Sequence, residues 1–158
     1  MSSRRTSSWN ARSCPSPRRR ERVEPDLTAP GGIHHLELWV PDLGRAVSSW
    51  GWLLGRLGYE PFQAWEAGRS WRLGGTYVVV EESPALLRDV PHDRRRAGLN
   101  HVAFAVPARS GLDEIVRRLP AFGWSPLFAD RYPRAGGPDH YAAYLENDDG
   151  FEVELVAP

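Results

Sequence analysis

Residues 33 to 40 alternate apolar and polar side chains and stop at Pro41, a pattern that predicts a strand with Leu36, Leu38 and Val40 on one face. The period then changes. Ala46, Val47, Trp50, Leu53, Leu54 and Leu57 recur at helical spacing, which predicts a helix over 43–57 with Asp42 as its N-cap and Gly58 as its stop. Three further strands follow at about 59–66, 69–73 and 75–82, punctuated by Gly68 and by Gly74-Gly75.

The plan then repeats. Gly32-Ile33-His34-His35-Leu36-Glu37-Leu38-Trp39-Val40-Pro41 returns 66 positions later as Gly98-Leu99-Asn100-His101-Val102-Ala103-Phe104-Ala105-Val106-Pro107, and Leu57-Gly58-Tyr59 is echoed by Phe122-Gly123-Trp124. The second copy reads as a strand at 99–106, a helix over 111–122, and strands near 124–130, 139–147 and 150–156. The fold class is therefore α+β, two βαβββ modules in one domain over 31–158: module one at 31–82, a connection at 83–97, and module two at 98–158. An added Gly/Pro-rich loop, Arg131 to Pro138, lengthens module two and is expected to border the binding site.

Charge and composition narrow the function classes. The chain has 158 residues, 41% hydrophobic, with twenty basic residues that are all Arg. One core is what such a length can bury, and no lysine exists for a phosphate loop or a Schiff base. Residues 1–30, rich in Arg, Ser and Pro, read as a disordered leader holding seven Arg against three acids, which leaves the globular part mildly acidic. No nucleic-acid partner is expected of that part. The single Cys14 lies in the leader, which excludes an internal disulfide and a Cys-rich zinc cage. With no signal-like or membrane-spanning apolar run, the expected home is the cytoplasm, and no membrane partner is expected.

Strand parity points to the chemistry. His35 and His101 hold equivalent places in the duplicated first strands, facing away from the apolar rows that pack beneath the helices. In the last strand Phe151, Val153 and Leu155 form the apolar row, while Glu152 and Glu154 share the other face. Two imidazoles and a carboxylate on one concave surface suit a divalent transition metal and leave coordination positions open.

These segments resemble the vicinal oxygen chelate superfamily, which includes glyoxalase I, fosfomycin-resistance transferases, extradiol dioxygenases and bleomycin-binding resistance proteins. Leu99-Asn100-His101-Val102-Ala103-Phe104 and Asp148-Asp149-Gly150-Phe151-Glu152-Val153-Glu154-Leu155 are similar to its ligand-bearing strands. The resemblance implies His35, His101 and Glu154 as ligands of a divalent ion (Fe, Mn, Ni, Zn or Co). It also implies a small organic substrate held through adjacent oxygens, and lyase, isomerase or dioxygenase chemistry. Aligning Gly75 with Gly150 puts Val79 where glyoxalase I has a further carboxylate, so a three-residue site is expected. Tyr144, ten positions before Glu154, is similar to the tyrosine of the extradiol signature, although that signature has Pro at the position of Asp148.

His140 and Tyr144 lie four apart on one strand face, and with Glu152 they are the expected catalytic groups, handling protons. Glu152 is expected nearer the rim than the metal, His92 exposed, His34 structural, and Glu37 a hydrogen-bond acceptor or cavity wall. Trp39, Trp65 and Trp71 are candidates to line the cup. Those aromatics motivate the alternative of a metal-free protein that sequesters an aromatic antibiotic. Serine, cysteine and dinucleotide mechanisms find no motif. Two-module chains of this family close one cup internally or exchange modules, and a homodimer is expected.

Overall fold

The protein is described by a computed structural model over residues 31–158, so the expectations for the leader lie outside the described residues. The first unit runs β1 (His35–Trp39), α1 (Leu43–Arg56), β2 (Glu60–Trp65), β3 (Gly68–Leu73) and β4 (Thr76–Glu81). The second runs β5 (His101–Ala105), α2 (Arg109–Arg118), β6 (Trp124–Leu127), β7 (Tyr141–Asn147) and β8 (Glu152–Ala157). Each unit forms its own four-stranded sheet, in the orders β1-β4-β3-β2 and β5-β8-β7-β6. In both, the first strand lies parallel to the last, a pairing that needs a crossover, and the helix after the first strand provides it. The two βαβββ units inferred from the repeat are therefore present.

Asp42 begins α1 as expected: its Oδ1 accepts the Arg45 N–H at 2.8 Å. Asp42→Ala should cost about 1 kcal/mol, read as a lower urea midpoint with an unchanged slope. The helix buries Ala46, Ser49, Trp50, Leu53 and Leu54 against the apolar rows of β1 and β4. Trp71 turns into this core rather than toward the cup. It is 7% exposed, and a Cβ on Gly51 of α1 would stand 3.0 Å from its ring, so helix and strand meet here at a glycine.

The helix-side layers of the two units merge into a single core. Trp50 of α1 meets Trp124 of β6 edge to face at 5.1 Å, and the Trp124 indole N–H donates to the Ser49 carbonyl at 3.1 Å. Two elements depart from the periodicity. The helix expected over 111–122 spans Arg109–Arg118 and tightens into a 3₁₀ turn at Leu119–Phe122, because Pro120 has no amide hydrogen to continue the α-helical ladder. The strand expected to reach 130 stops at Leu127, because Phe128 adopts a left-handed conformation (φ 53°) that breaks the extended run. Among the described residues no helix is long and apolar enough to cross a membrane.

Candidate active site

Partners in a sheet share a face, so the register of the second sheet decides what its concave side carries. His101 pairs with Glu152, Ala103 with Glu154, and Glu154 with Tyr144, placing all five on that side. His140, one residue ahead of β7, has the same parity as Tyr144. Ala103 is small enough to leave the floor open around the carboxylate. Two imidazoles converge on buried Glu154, the Nε2 of His140 at 2.5 Å from Oε1 and the Nε2 of His101 at 3.3 Å from Oε2, and Tyr144 stands beside the same carboxylate as its cross-strand partner.

Burial pushes the Glu154 carboxyl up, but the hydrogen bonds from His140 and Tyr144 and the two imidazoles outweigh it and leave it below the usual carboxylate range. Glu154 is thus an anion at neutral pH. Burial first, and the adjacent Glu154 carboxylate second, push the Tyr144 phenol up to about 12. Tyr144 therefore keeps its proton and acts as a donor.

Of the three expected ligands, one chain brings together only His101 and Glu154. His35 stands on the concave side of the first sheet, stacked on Tyr77 at 5.0 Å, with its Nδ1 3.0 Å from that of His34. Among the described residues no group of three His, Cys, Asp or Glu side chains within one chain is arranged to hold an ion. Glu37 pairs with Val79 as Ala103 pairs with Glu154, so an apolar residue occupies the first unit's counterpart of the Glu154 position. Glu37 itself accepts the Trp39 indole N–H at 2.8 Å.

Glu152 is buried rather than near the rim, and is held by the Arg94 guanidinium at 2.7 Å, a partner from the connection that the repeat could not reveal. Arg94 also binds Glu146 at 3.0 Å. His92, expected to be exposed, stacks on Phe151 at 4.3 Å and pins the connection to the start of β8. His34 lies exposed at the sheet edge.

Three site residues escaped the sequence. Asn100 places its Oδ1 2.8 Å from the His101 Nδ1. Phe128 stands edge-on to Tyr144 at 5.7 Å with the Arg131 guanidinium 4.6 Å from its ring centre. Gly136, in the added loop, leaves no room for a side chain: a Cβ there would lie 2.5 Å from His140 Cδ2 and 2.8 Å from the Tyr144 hydroxyl. Tyr132, at the start of that loop, and Tyr141 both donate to Asp113 of α2, which fastens the loop in place. Gly136→Ala should therefore displace His140 and Tyr144, lowering activity or ligand affinity by about tenfold or more. The unfolding free energy should move by under about 1 kcal/mol, because the residue is exposed.

A cavity of about 560 Å³ between the two units reaches His101, with Leu36, Val78, Val102 and Phe104 among its walls. A larger one, about 710 Å³, opens between β1 and the connection, away from Glu154.

Comparison with known proteins agrees with this architecture. Residues 34–144 match the family model of the Glyoxalase/Bleomycin resistance protein/Dioxygenase superfamily. The uncharacterized protein YqjT of Bacillus subtilis (strain 168) is 40% identical over 126 residues, covering 80% of this chain and 98% of that protein. A crystal structure of a presumed glyoxalase from Bacillus halodurans is 41% identical with a TM-score of 0.79, covering 84% of this chain and all of that one. At 21% identity and a TM-score of 0.56, a variant of the Listeria monocytogenes fosfomycin resistance protein FosX, complexed with Mn(II) and 1S,2S-dihydroxypropylphosphonic acid, shares the fold; 80% of this chain and 89% of that one are covered. With 111 of its residues under one family model and the duplicated βαβββ units that go with it, this chain belongs to the glyoxalase/bleomycin resistance/dioxygenase superfamily.

Proposed function

We propose that the chain is a metal-dependent enzyme acting on a small organic substrate with two adjacent oxygens, working as a homodimer in the cytoplasm. The ion would be held by His101 and Glu154 of one copy and His35 of a second. The observation that carries this reading is the convergence of imidazole nitrogens on a buried, ionised Glu154 while His35 stands on a separate concave face. The donor set fits the group: two neutral imidazoles and one carboxylate accept Mn, Fe, Co, Ni or Zn and leave positions for substrate. FosX, a relative by fold, holds Mn(II) in its crystal structure.

When bound, such an ion supplies Lewis-acid polarisation of substrate oxygens. The chain's own groups do the rest. Tyr144 keeps its proton and donates a hydrogen bond that orients the substrate. His140, about 39% exposed and within hydrogen-bond reach of Glu154, is placed to take or return a proton. Glu152, held by Arg94, supports the face electrostatically instead of exchanging protons with substrate. Of the expected catalytic residues, His140 and Tyr144 keep that role in this proposal and Glu152 does not. Lyase or isomerase chemistry suits this set of one retained proton and one mobile proton.

The exposed aromatics of the first sheet, Trp39 at 44%, Phe62 at 44% and Trp65 at 37%, form the surface that the second copy would cover. They also favour a second reading, metal-free sequestration of an aromatic molecule. Chelator-stripped protein that binds an aromatic antibiotic as tightly as the metal-loaded form, without turnover, would support that alternative.

The test is complementation. His35→Ala and Glu154→Ala should each abolish stoichiometric metal binding. Co-refolded at equal amounts they should regain about a quarter of the wild-type sites, because half the dimers are mixed and each mixed dimer assembles one intact site. No recovery, with each variant folded and dimeric, would overturn the shared site.

A further inference from the structure

We propose that Asn100 is a positioning residue that fixes the tautomer of His101, keeping the imidazole proton on Nδ1 and the lone pair on Nε2. The purpose assigned to this arrangement rests on the metal reading above; the arrangement itself does not.

The argument starts from the amide. A primary amide has one donating and one accepting end, and a backbone carbonyl only accepts. The side-chain nitrogen of Asn100 faces the Arg94 carbonyl at 3.1 Å, so Nδ2 must be the atom there and Oδ1 must point the other way. Oδ1 then meets the His101 Nδ1 at 2.8 Å, and only an N–H at Nδ1 satisfies that contact. In the neutral ring, Nε2 is left without a hydrogen.

The two histidines at Glu154 differ accordingly. His140 approaches the carboxylate to 2.5 Å, too close for two lone pairs to face each other, so a hydrogen lies between its Nε2 and the anion. His101 stays at 3.3 Å. In the neutral ring a lone pair and a carboxylate oxygen therefore face each other with no hydrogen between them, and what they jointly attract is a cation, either a proton or a metal ion. The Arg94 carbonyl is a firm anchor, since its guanidinium is held by Glu146 and by buried Glu152. The connection between the units thereby reaches the ring through Arg94 and Asn100. Unit one has His34 where unit two has Asn100; its Nδ1 lies 3.0 Å from that of His35, but either ring can be the donor there, so that contact fixes no tautomer as the Asn100 amide does.

The test uses metal-free full-length protein and two-bond ¹H–¹⁵N correlations of the imidazoles at about pH 8.5, two units above the ordinary imidazole value. His101→Ala identifies the signals. Wild type should show the Nδ1–H form at His101, Asn100→Leu should shift it to Nε2–H or a mixture, and Asn100→Asp, which keeps an acceptor oxygen, should restore Nδ1–H. Mn²⁺ affinity should fall about ten- to a hundredfold in Asn100→Leu, the effect ordinary for loss of a hydrogen bond behind a ligand, and recover in Asn100→Asp. An Nε2–H wild-type ring, or a tautomer indifferent to Asn100→Leu, overturns the assignment. An Asn100-dependent Nδ1–H ring in a protein that binds no metal would uphold the assignment and sink the metal reading instead.

Discussion

Replacing Glu154 with glutamine is expected to weaken divalent-metal binding by at least about a hundredfold, since even a residue supporting a ligand is worth ten- to a hundredfold and in the proposed site Glu154 supplies the ligand's charge. The carboxylate is the point on which His101, His140 and Tyr144 converge, and it is ionised at neutral pH against its own burial. Glutamine keeps the shape and one acceptor oxygen, so Tyr144 or His140 retains a partner and the fold should persist. Isothermal titration with Mn²⁺, alongside a circular dichroism melt, separates the two effects. Wild-type affinity in a folded Glu154→Gln protein would remove Glu154 from the site.

The second large effect is structural. Trp124→Ala should destabilise the protein by about 3–5 kcal/mol, the range for emptying a buried aromatic position. Trp124 is 1% exposed, meets the equally buried Trp50 edge to face, and donates to the Ser49 carbonyl. Those contacts join α1 of the first unit to β6 of the second, so the loss falls on the joint between the units. Urea unfolding should show a lower midpoint. A cost under about 1.5 kcal/mol would mean that the joint is held elsewhere.

The fold was legible because duplication made each signal appear twice. The strand at His35 and the strand at His101 read alike, and Asp42, Pro41 and Pro107 mark boundaries with mechanisms of their own. What escaped depended on single residues with local effects: Pro120 tightening the end of α2, and Phe128 in a left-handed conformation ending β6. The site divides along the same line. The shared face of His101, Glu154 and Tyr144 follows from the two-residue period of strands, and His140 keeps that parity although it precedes its strand.

Residues brought in by irregular segments were not readable. Arg94 reaches Glu152 from a connection with no periodicity, and Asn100 acts through an amide orientation that only neighbouring carbonyls define. Gly136 matters because of an absent side chain, which no pattern of hydrophobicity records. Trp71 shows a further limit: the Gly-rich turns around β3 obscured its parity, and only the register places it in the core. That His35 remains on its own sheet is likewise a fact of tertiary arrangement, since strand parity orients a side chain within its sheet and says nothing of how two sheets face each other.

Counting bound Mn²⁺ by electron paramagnetic resonance in wild type and in His101→Ala, side by side and at matched dimer concentration, tests the central claim most directly. The account predicts about one tightly held ion per chain in the wild type and none in the variant. A folded His101→Ala protein that still held its full complement would contradict it.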